Sequence, residues 1–126
     1  MVKRITVVIA DDQPRARQSL RALLATCSQV GPIREAADGL AALKLADESP
    51  PDVVVLDILM PIMDGLEAAR SIRARWPQVK LILTSMHGEY QDAALAAGAD
   101  VFFRKGDPPG ELLDRLAALA DAKGAG

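Results

Sequence analysis

The sequence predicts an α/β fold in which a five-stranded parallel sheet lies between two layers of helices. Five short apolar runs alternate with five segments of helical periodicity, which is typical of a doubly wound parallel sandwich. The run Val-Val-Val-Leu at 53–56 has no apolar/polar alternation, as expected for a strand buried on both faces. The chain has 126 residues, a common size for one domain.

Local signals divide the chain into these elements. Pro14 suits the first position of a helix, and Gly31-Pro32 is predicted to be a loop before the second strand. Asp38 caps the second helix, and Pro50-Pro51 ends that helix. Gly98 ends the fourth helix. The predicted strands are residues 5–10, 33–37, 53–57, 80–85 and 101–105. The predicted helices are residues 14–26, 39–49, 66–75, 88–97 and 107–122, before a flexible tail or linker start at 123–126.

The composition argues against several classes of protein. Lysine and arginine number 15 against 17 aspartate and glutamate residues, so the net charge of −2 provides no basic surface for nucleic acid. Any contact with DNA would therefore come from another domain or partner. No apolar run approaches the length of a membrane span, and the single Cys27 cannot form an internal disulfide. We expect a soluble cytoplasmic protein.

Carboxylates follow two of the predicted strands. Asp11 and Asp12 come after the first strand, and Asp57 ends the third. A lone aspartate at such a place often only caps a helix or begins a turn. If the two strands are neighbours, however, all three carboxylates meet at the edge of the sheet where ligands bind in such folds. Their mutual repulsion favours a hard cation, and oxygen ligands with room for water suit Mg²⁺.

Other polar side chains end the last two strands. Lys105 ends the fifth strand, and Thr84 and Ser85 end the fourth. Alone, Lys105 would be interpreted as a solvated charge. Together with a metal and carboxylates, an ammonium and a hydroxyl suit the binding and transfer of a phosphoryl group, with one carboxylate as nucleophile.

Four motifs lie at these strand ends and in the loops that follow. They are VIADD at 8–12, VLDILMPIMDG at 55–65, SMH at 85–87, and AGAD at 97–100 ahead of Phe102 and Lys105. Together they resemble the receiver domain of two-component response regulators over essentially the whole chain. The resemblance implies a flavodoxin-like fold with strand order 2-1-3-4-5 and a receiver domain at 1–122.

The resemblance also implies roles for the polar residues. Asp57 would accept a phosphoryl group from a phosphohistidine on a sensor histidine kinase or a histidine phosphotransfer protein. Mg²⁺ would be bound by Asp12, by Asp57, by Asp11 directly or through water, and by the backbone carbonyl of Leu59. Lys105 would pair with the phosphoryl oxygens. The only catalysis implied is the protein's own phosphorylation and dephosphorylation.

The implied switch begins at the end of the fourth strand. Spacing from Asp57 and the SMH motif favour Ser85 over Thr84 as the switch hydroxyl, and Phe102 would turn inward behind it. The fourth helix, fifth strand and fifth helix would then form the face that contacts an output domain, a partner or a second copy. One of two apolar stripes on the last helix must face the sheet, and the other could be a partner surface.

Two departures from the family pattern affect this face. The segment between Ser85 and Ala97 is shorter by about two residues, so the loop or the fourth helix should be trimmed. Gly106 stands where a proline usually follows Lys105, so a cis Lys-Pro bond cannot form there.

Two other functions are compatible with a similar sheet. A metal-dependent phosphohydrolase would usually need an acid two residues after the nucleophile, where Leu59 stands, and an inserted substrate cap. A pseudo-receiver would bind its partner without phosphorylation, but the complete set of acidic residues argues against that interpretation.

Overall fold

The computed structural model describes residues 3–125 as a parallel five-stranded sheet with helices on both faces. The strands are β1 Ile5–Ala10, β2 Val30–Ala36, β3 Val53–Asp57, β4 Lys80–Ser85 and β5 Val101–Arg104. The helices are α1 Pro14–Ala25, α2 Gly39–Glu48, α3 Gly65–Arg75, α4 Gln91–Ala96 and α5 Pro109–Ala125. The strand order is β2-β1-β3-β4-β5, and every pairing is parallel. The predicted fold class and strand order are confirmed.

The sheet separates two apolar clusters. Helices α2, α3 and α4 cover one face, where Val54 and Leu56 of β3 are buried. Helices α1 and α5 cover the other face, where Val53 and Val55 are buried. Burial on both faces explains why this strand has no apolar/polar alternation. Between residues 109 and 122 of α5, the buried residues are Leu112 and Leu116 from one predicted stripe (Leu112, Leu116 and Leu119) and Ala120 from the other (Leu113, Ala117 and Ala120).

The prediction that Gly31 and Pro32 precede the second strand is wrong, since both lie inside β2. This strand is at the edge of the sheet, where a proline without an N–H costs no ladder hydrogen bond on the open side. The pairing of β1 with β2 is irregular there, with a register shift between Ile5 and Val7. The sequence alone does not show whether Gly31 and Pro32 belong to an edge strand or to a loop before it.

Two helix ends also differ from the predictions. A 3₁₀ turn at Gly88–Tyr90 replaces the start of the predicted fourth helix, and α4 itself has only six residues, in keeping with the short segment expected there. Helix α5 continues to Ala125, beyond the predicted end at 122. The tail or linker predicted at 123–126 stays a prediction, and Gly126 lies outside the described residues. Among the described helices, none is long and apolar enough to cross a membrane.

Two glycines fix the loop between β3 and α3. The Gly65 amide donates a hydrogen bond to the Ile58 carbonyl at 2.8 Å, and the Gly39 amide donates to the Met63 carbonyl at 2.9 Å. A Cβ atom on Gly65 would overlap the carbonyl oxygen of Asp57, and one on Gly39 would overlap that of Met63. The loop after Asp57 therefore packs directly against the starts of α2 and α3.

Replacement of Gly65 should destabilise the domain. We expect Gly65→Ala to lower the free energy of unfolding by at least about 2 kcal/mol, because the new methyl group meets rigid backbone. Gly110→Ala is the matched control, since a Cβ there has nothing within 4 Å. Chemical denaturation measures both variants. Equal stability of Gly65→Ala and wild type would contradict the close packing described above.

Candidate functional site

Three carboxylates converge at the carboxyl end of the central strands. Because β1 and β3 are neighbours, Asp11 and Asp12 meet Asp57, and one ligand oxygen from each lies within 4.8 Å of the others. Asp11 is only 3% exposed and Asp57 only 8%, whereas Asp12 is more open. The structure thus brings together the three acidic residues singled out in the sequence.

Lys105 reaches this cluster from the strand beyond β4. Its Nζ donates a hydrogen bond to Asp11 Oδ2 at 2.9 Å and lies 3.3 Å from Asp57 Oδ2. Its backbone amide donates to the Ser85 carbonyl at 2.9 Å, which keeps the residue close to the end of β4. The lysine therefore bridges the first and third strands through their carboxylates, and it is not a freely solvated charge.

The charges of the cluster shift two pKa values. Burial raises the pKa of Asp57, the negative charges of Asp11 and Asp12 add to the increase, and Lys105 opposes it. Burial by itself would lower the pKa of Lys105, but the hydrogen bond with Asp11 and the charge of Asp57 outweigh it and raise that pKa. One ammonium group thus faces three carboxylates and offsets only part of their charge.

The donor set suits a hard divalent cation. All three side chains offer carboxylate oxygens, which Mg²⁺ prefers, and the partial exposure of Asp12 leaves room for water. Leu59 lies two residues after Asp57, in the loop held by Gly65, and its side chain is half exposed. The residues present therefore fit a metal of this class.

Two buried hydroxyls end β4. Ser85 is 1% exposed, and its Oγ accepts a hydrogen bond from the His87 amide at 3.0 Å. Thr84 lies in register with Asp57, and its Oγ1 donates only a long 3.5 Å bond to the Leu56 carbonyl. Phe102 is partly buried on β5 and packs against the cluster under α2, α3 and α4. The preference for Ser85 stays a prediction.

Sequence reasoning did not identify one residue beside the acidic turn. Arg17 on α1 donates from Nη1 to the Asp11 carbonyl oxygen at 2.7 Å, and its Nε lies 3.0 Å from Glu35 Oε1 on β2. The only signal in the sequence is an arginine shortly after the acidic pair. Its pairing with Glu35, 18 residues away, depends on how β2 lies beside β1.

Known proteins are similar to this chain in both sequence and structure. The response regulator receiver domain family matches residues 7–117. The uncharacterised transcriptional regulatory protein YhcZ of Bacillus subtilis (strain 168) is 36% identical over 109 residues, which are 85% of this chain and 51% of YhcZ.

Solved structures give the same result. The receiver domain of the NarL regulator of Mycobacterium tuberculosis is 32% identical, with a TM-score of 0.87 over 94% of this chain and 98% of that one. A LuxR-family two-component response regulator from Aurantimonas sp. SI85-9A1 is 30% identical, with a TM-score of 0.89 over 95% of this chain and 87% of that one.

The match covers most of this chain but only part of its curated relatives, since the chain spans about half the length of those it matches. The shared segment contains the five-stranded sheet and the acidic cluster at its edge. The chain therefore belongs to the receiver domains of two-component response regulators.

Proposed function

We propose that this chain is a phosphorylation-controlled switch in which Asp57 is the phosphoacceptor. The observation that carries the proposal is the position of Asp57 at the end of β3, where its Oδ2 lies 3.3 Å from Lys105 Nζ and its carboxylate is grouped with Asp11 and Asp12. A nucleophile, a cation and metal ligands thus occur in one place. These are the groups that phosphoryl transfer to a carboxylate requires.

The proposed cofactor is Mg²⁺. Asp12 and Asp57 would bind it through their carboxylates, Asp11 directly or through water, and Leu59 through its backbone carbonyl. When bound, the metal would offset the charge of the carboxylates and of the phosphoryl oxygens, so that an anionic nucleophile can meet an anionic donor. The all-carboxylate donor set supports this assignment.

In the proposed reaction, an Asp57 oxygen attacks the phosphorus of a phosphohistidine on a sensor histidine kinase or histidine phosphotransfer protein. A P–O bond forms as the P–N bond breaks, and the electron pair of the broken bond stays on the imidazole nitrogen. Lys105 then pairs with the phosphoryl oxygens. Attack of water on phosphorus would later break the new P–O bond, release inorganic phosphate and restore the Asp57 carboxylate. The chain would catalyse only its own phosphorylation and dephosphorylation.

The signal would pass through Ser85. The phosphoryl group would carry about 1.5 to 2 negative charges, which attract a hydroxyl donor. Movement of the Ser85 hydroxyl toward the phosphoryl group would break its bond with the His87 amide, and Phe102 would turn inward. The face formed by α4, β5 and α5 would have two conformations. A difference of a few kcal/mol in their interaction with the phosphorylated site would shift the population from one to the other.

The receiver would comprise residues 1–122, and residues 123–126 would be a tail or the start of a linker. It would act in the cytoplasm on a partner or on an output domain outside this chain. The relatives carry names of transcriptional regulatory proteins and are about twice as long as the matched region, which supports an output domain elsewhere. DNA binding would belong to that domain. A second copy of this chain is another partner that the same face could bind.

Phosphorylation can be tested with a small donor. We expect acetyl phosphate and Mg²⁺ to add one phosphoryl group by intact mass, because the site supplies nucleophile, cation and metal ligands together. Asp57→Asn, or removal of Mg²⁺ with EDTA, should abolish the addition. Unchanged labelling of Asp57→Asn would refute the assignment, and repeated turnover of a phosphate ester would favour a phosphohydrolase instead.

The two hydroxyls can be separated by single substitutions. We expect Ser85→Ala to be phosphorylated but to lose most of the change in amide NMR shifts along β5 and α4, because no hydroxyl reaches the phosphoryl group. Thr84→Val, which keeps the shape of the side chain, should retain that change, since its hydroxyl makes only a 3.5 Å bond. The reverse result would make Thr84 the switch residue.

A further inference from the structure

We propose that Arg17 is a positioning residue for metal binding, because it holds the peptide group that joins Asp11 to Asp12. The inference rests on the proposed function, in which these two aspartates bind Mg²⁺. Among the described residues, the only carboxylate that pairs with Arg17 is that of Glu35, and the contact of Arg17 with Asp11 is to the backbone carbonyl. It would act through the backbone on both acidic residues at once.

The contact provides a hydrogen-bond donor for a carbonyl that the strand pairing does not reach. The pairing of β1 with both of its neighbours ends at Ala10, so the Asp11 carbonyl lies beyond the strand ladder. Arg17 supplies the donor, with Nη1 at 2.7 Å from that oxygen. Its side chain is only 21% exposed. A charge-assisted hydrogen bond in such a place holds the peptide plane more firmly than water would.

The orientation of this peptide matters most for Asp12. Asp11 is held at several atoms: its amide donates to Ala36 O at 3.1 Å, its Oδ1 accepts from the Gln13 amide, and its Oδ2 accepts from Lys105. Within residues 3–125, the Asp12 carboxylate has no hydrogen bond or ion pair. The direction of Asp12 therefore depends on the backbone that Arg17 holds.

Glu35 keeps the guanidinium of Arg17 in this orientation. Its Oε1 pairs with Arg17 Nε at 3.0 Å, and its Oε2 pairs with Arg21 Nη1 at 2.7 Å. Arg21 also donates to the Ile33 carbonyl at 3.2 Å but does not reach the acidic turn. Two arginines thus share one glutamate, and only one of them contacts Asp11.

If Arg17 is replaced by a neutral residue, a positioning role and a purely electrostatic role predict opposite changes in the affinity for Mg²⁺. A positive charge near a cation site repels the cation, so loss of the charge alone would strengthen Mg²⁺ binding. Loss of a group that orients the ligands would weaken it, typically by tenfold or more for partners just outside the ligand shell. The direction of the change in affinity therefore distinguishes the two roles.

The experiment compares Arg17→Gln with Arg21→Gln in a titration with MgCl₂ alone, followed by amide NMR shifts. Each variant removes one positive charge and one ion pair with Glu35. We expect Arg17→Gln to bind Mg²⁺ about tenfold more weakly than wild type and Arg21→Gln to remain within about twofold. Arg17→Lys keeps the charge and a donor group that can reach one acceptor, so it should retain part of the affinity. Thermal melting of all variants measures the loss of stability separately.

Phosphorylation by acetyl phosphate provides a second readout. Arg17→Gln should need about tenfold more MgCl₂ for the half-maximal rate, while the rate at saturating MgCl₂ stays within about twofold of wild type. The inference would be overturned if Mg²⁺ binding weakened equally in Arg17→Gln and Arg21→Gln. It would also be overturned if Arg17→Gln bound Mg²⁺ more tightly than wild type. If wild type itself binds no Mg²⁺, the proposed function fails and this inference fails with it. If wild type binds Mg²⁺ and Arg17→Gln binds it with the same affinity, only the role of Arg17 is refuted and the proposed function stands.

Discussion

The ion pairs of Lys105 with Asp11 and Asp57 are the interaction on which the site depends. Two nearly buried carboxylates close together repel each other and lose hydration, so they require a cation beside them. Lys105 supplies it from the position directly after β5, although β4 lies between that strand and β3. The strand order, and not only the residues, therefore decides which charges meet.

The loop after Asp57 is held by backbone contacts on both sides. Gly39 and Gly65 let the starts of two helices pack against it, and Met63 and Ile58 accept their amide hydrogen bonds. Within this loop Ile62 has a φ of 69°, a costly conformation for a β-branched residue, and its side chain is 78% exposed. Such strain persists only where the surrounding structure imposes it. The two glycine contacts hold the loop at Ile58 and Met63, on either side of Ile62 and next to Asp57.

The short fourth helix is anchored at one end. Arg73 on α3 donates two hydrogen bonds to the Gly98 carbonyl, at 3.2 and 2.7 Å, and pairs with Asp100 at 2.8 Å. The other end begins in the turn where the His87 amide binds the Ser85 hydroxyl. A change at Ser85 would therefore act on the end of the segment that Arg73 does not hold. The short helix thus has one end held by Arg73 and the other end next to Ser85.

The sequence by itself determined the five strands, the parallel fold and the acidic and basic residues at strand ends, because these depend on local patterns and on the shared edge of a parallel sheet. It did not determine that Gly31 and Pro32 lie within an edge strand, that Ser85 binds the His87 amide, or that Arg17 pairs with Glu35. Each of these depends on strand order, on register or on a side-chain direction. The tertiary structure decides the edge strand and the Arg17–Glu35 pair, because their partners come from separate elements whose positions no local pattern specifies. The Ser85–His87 bond joins residues only two apart, and there the structure decides the direction of the side chain.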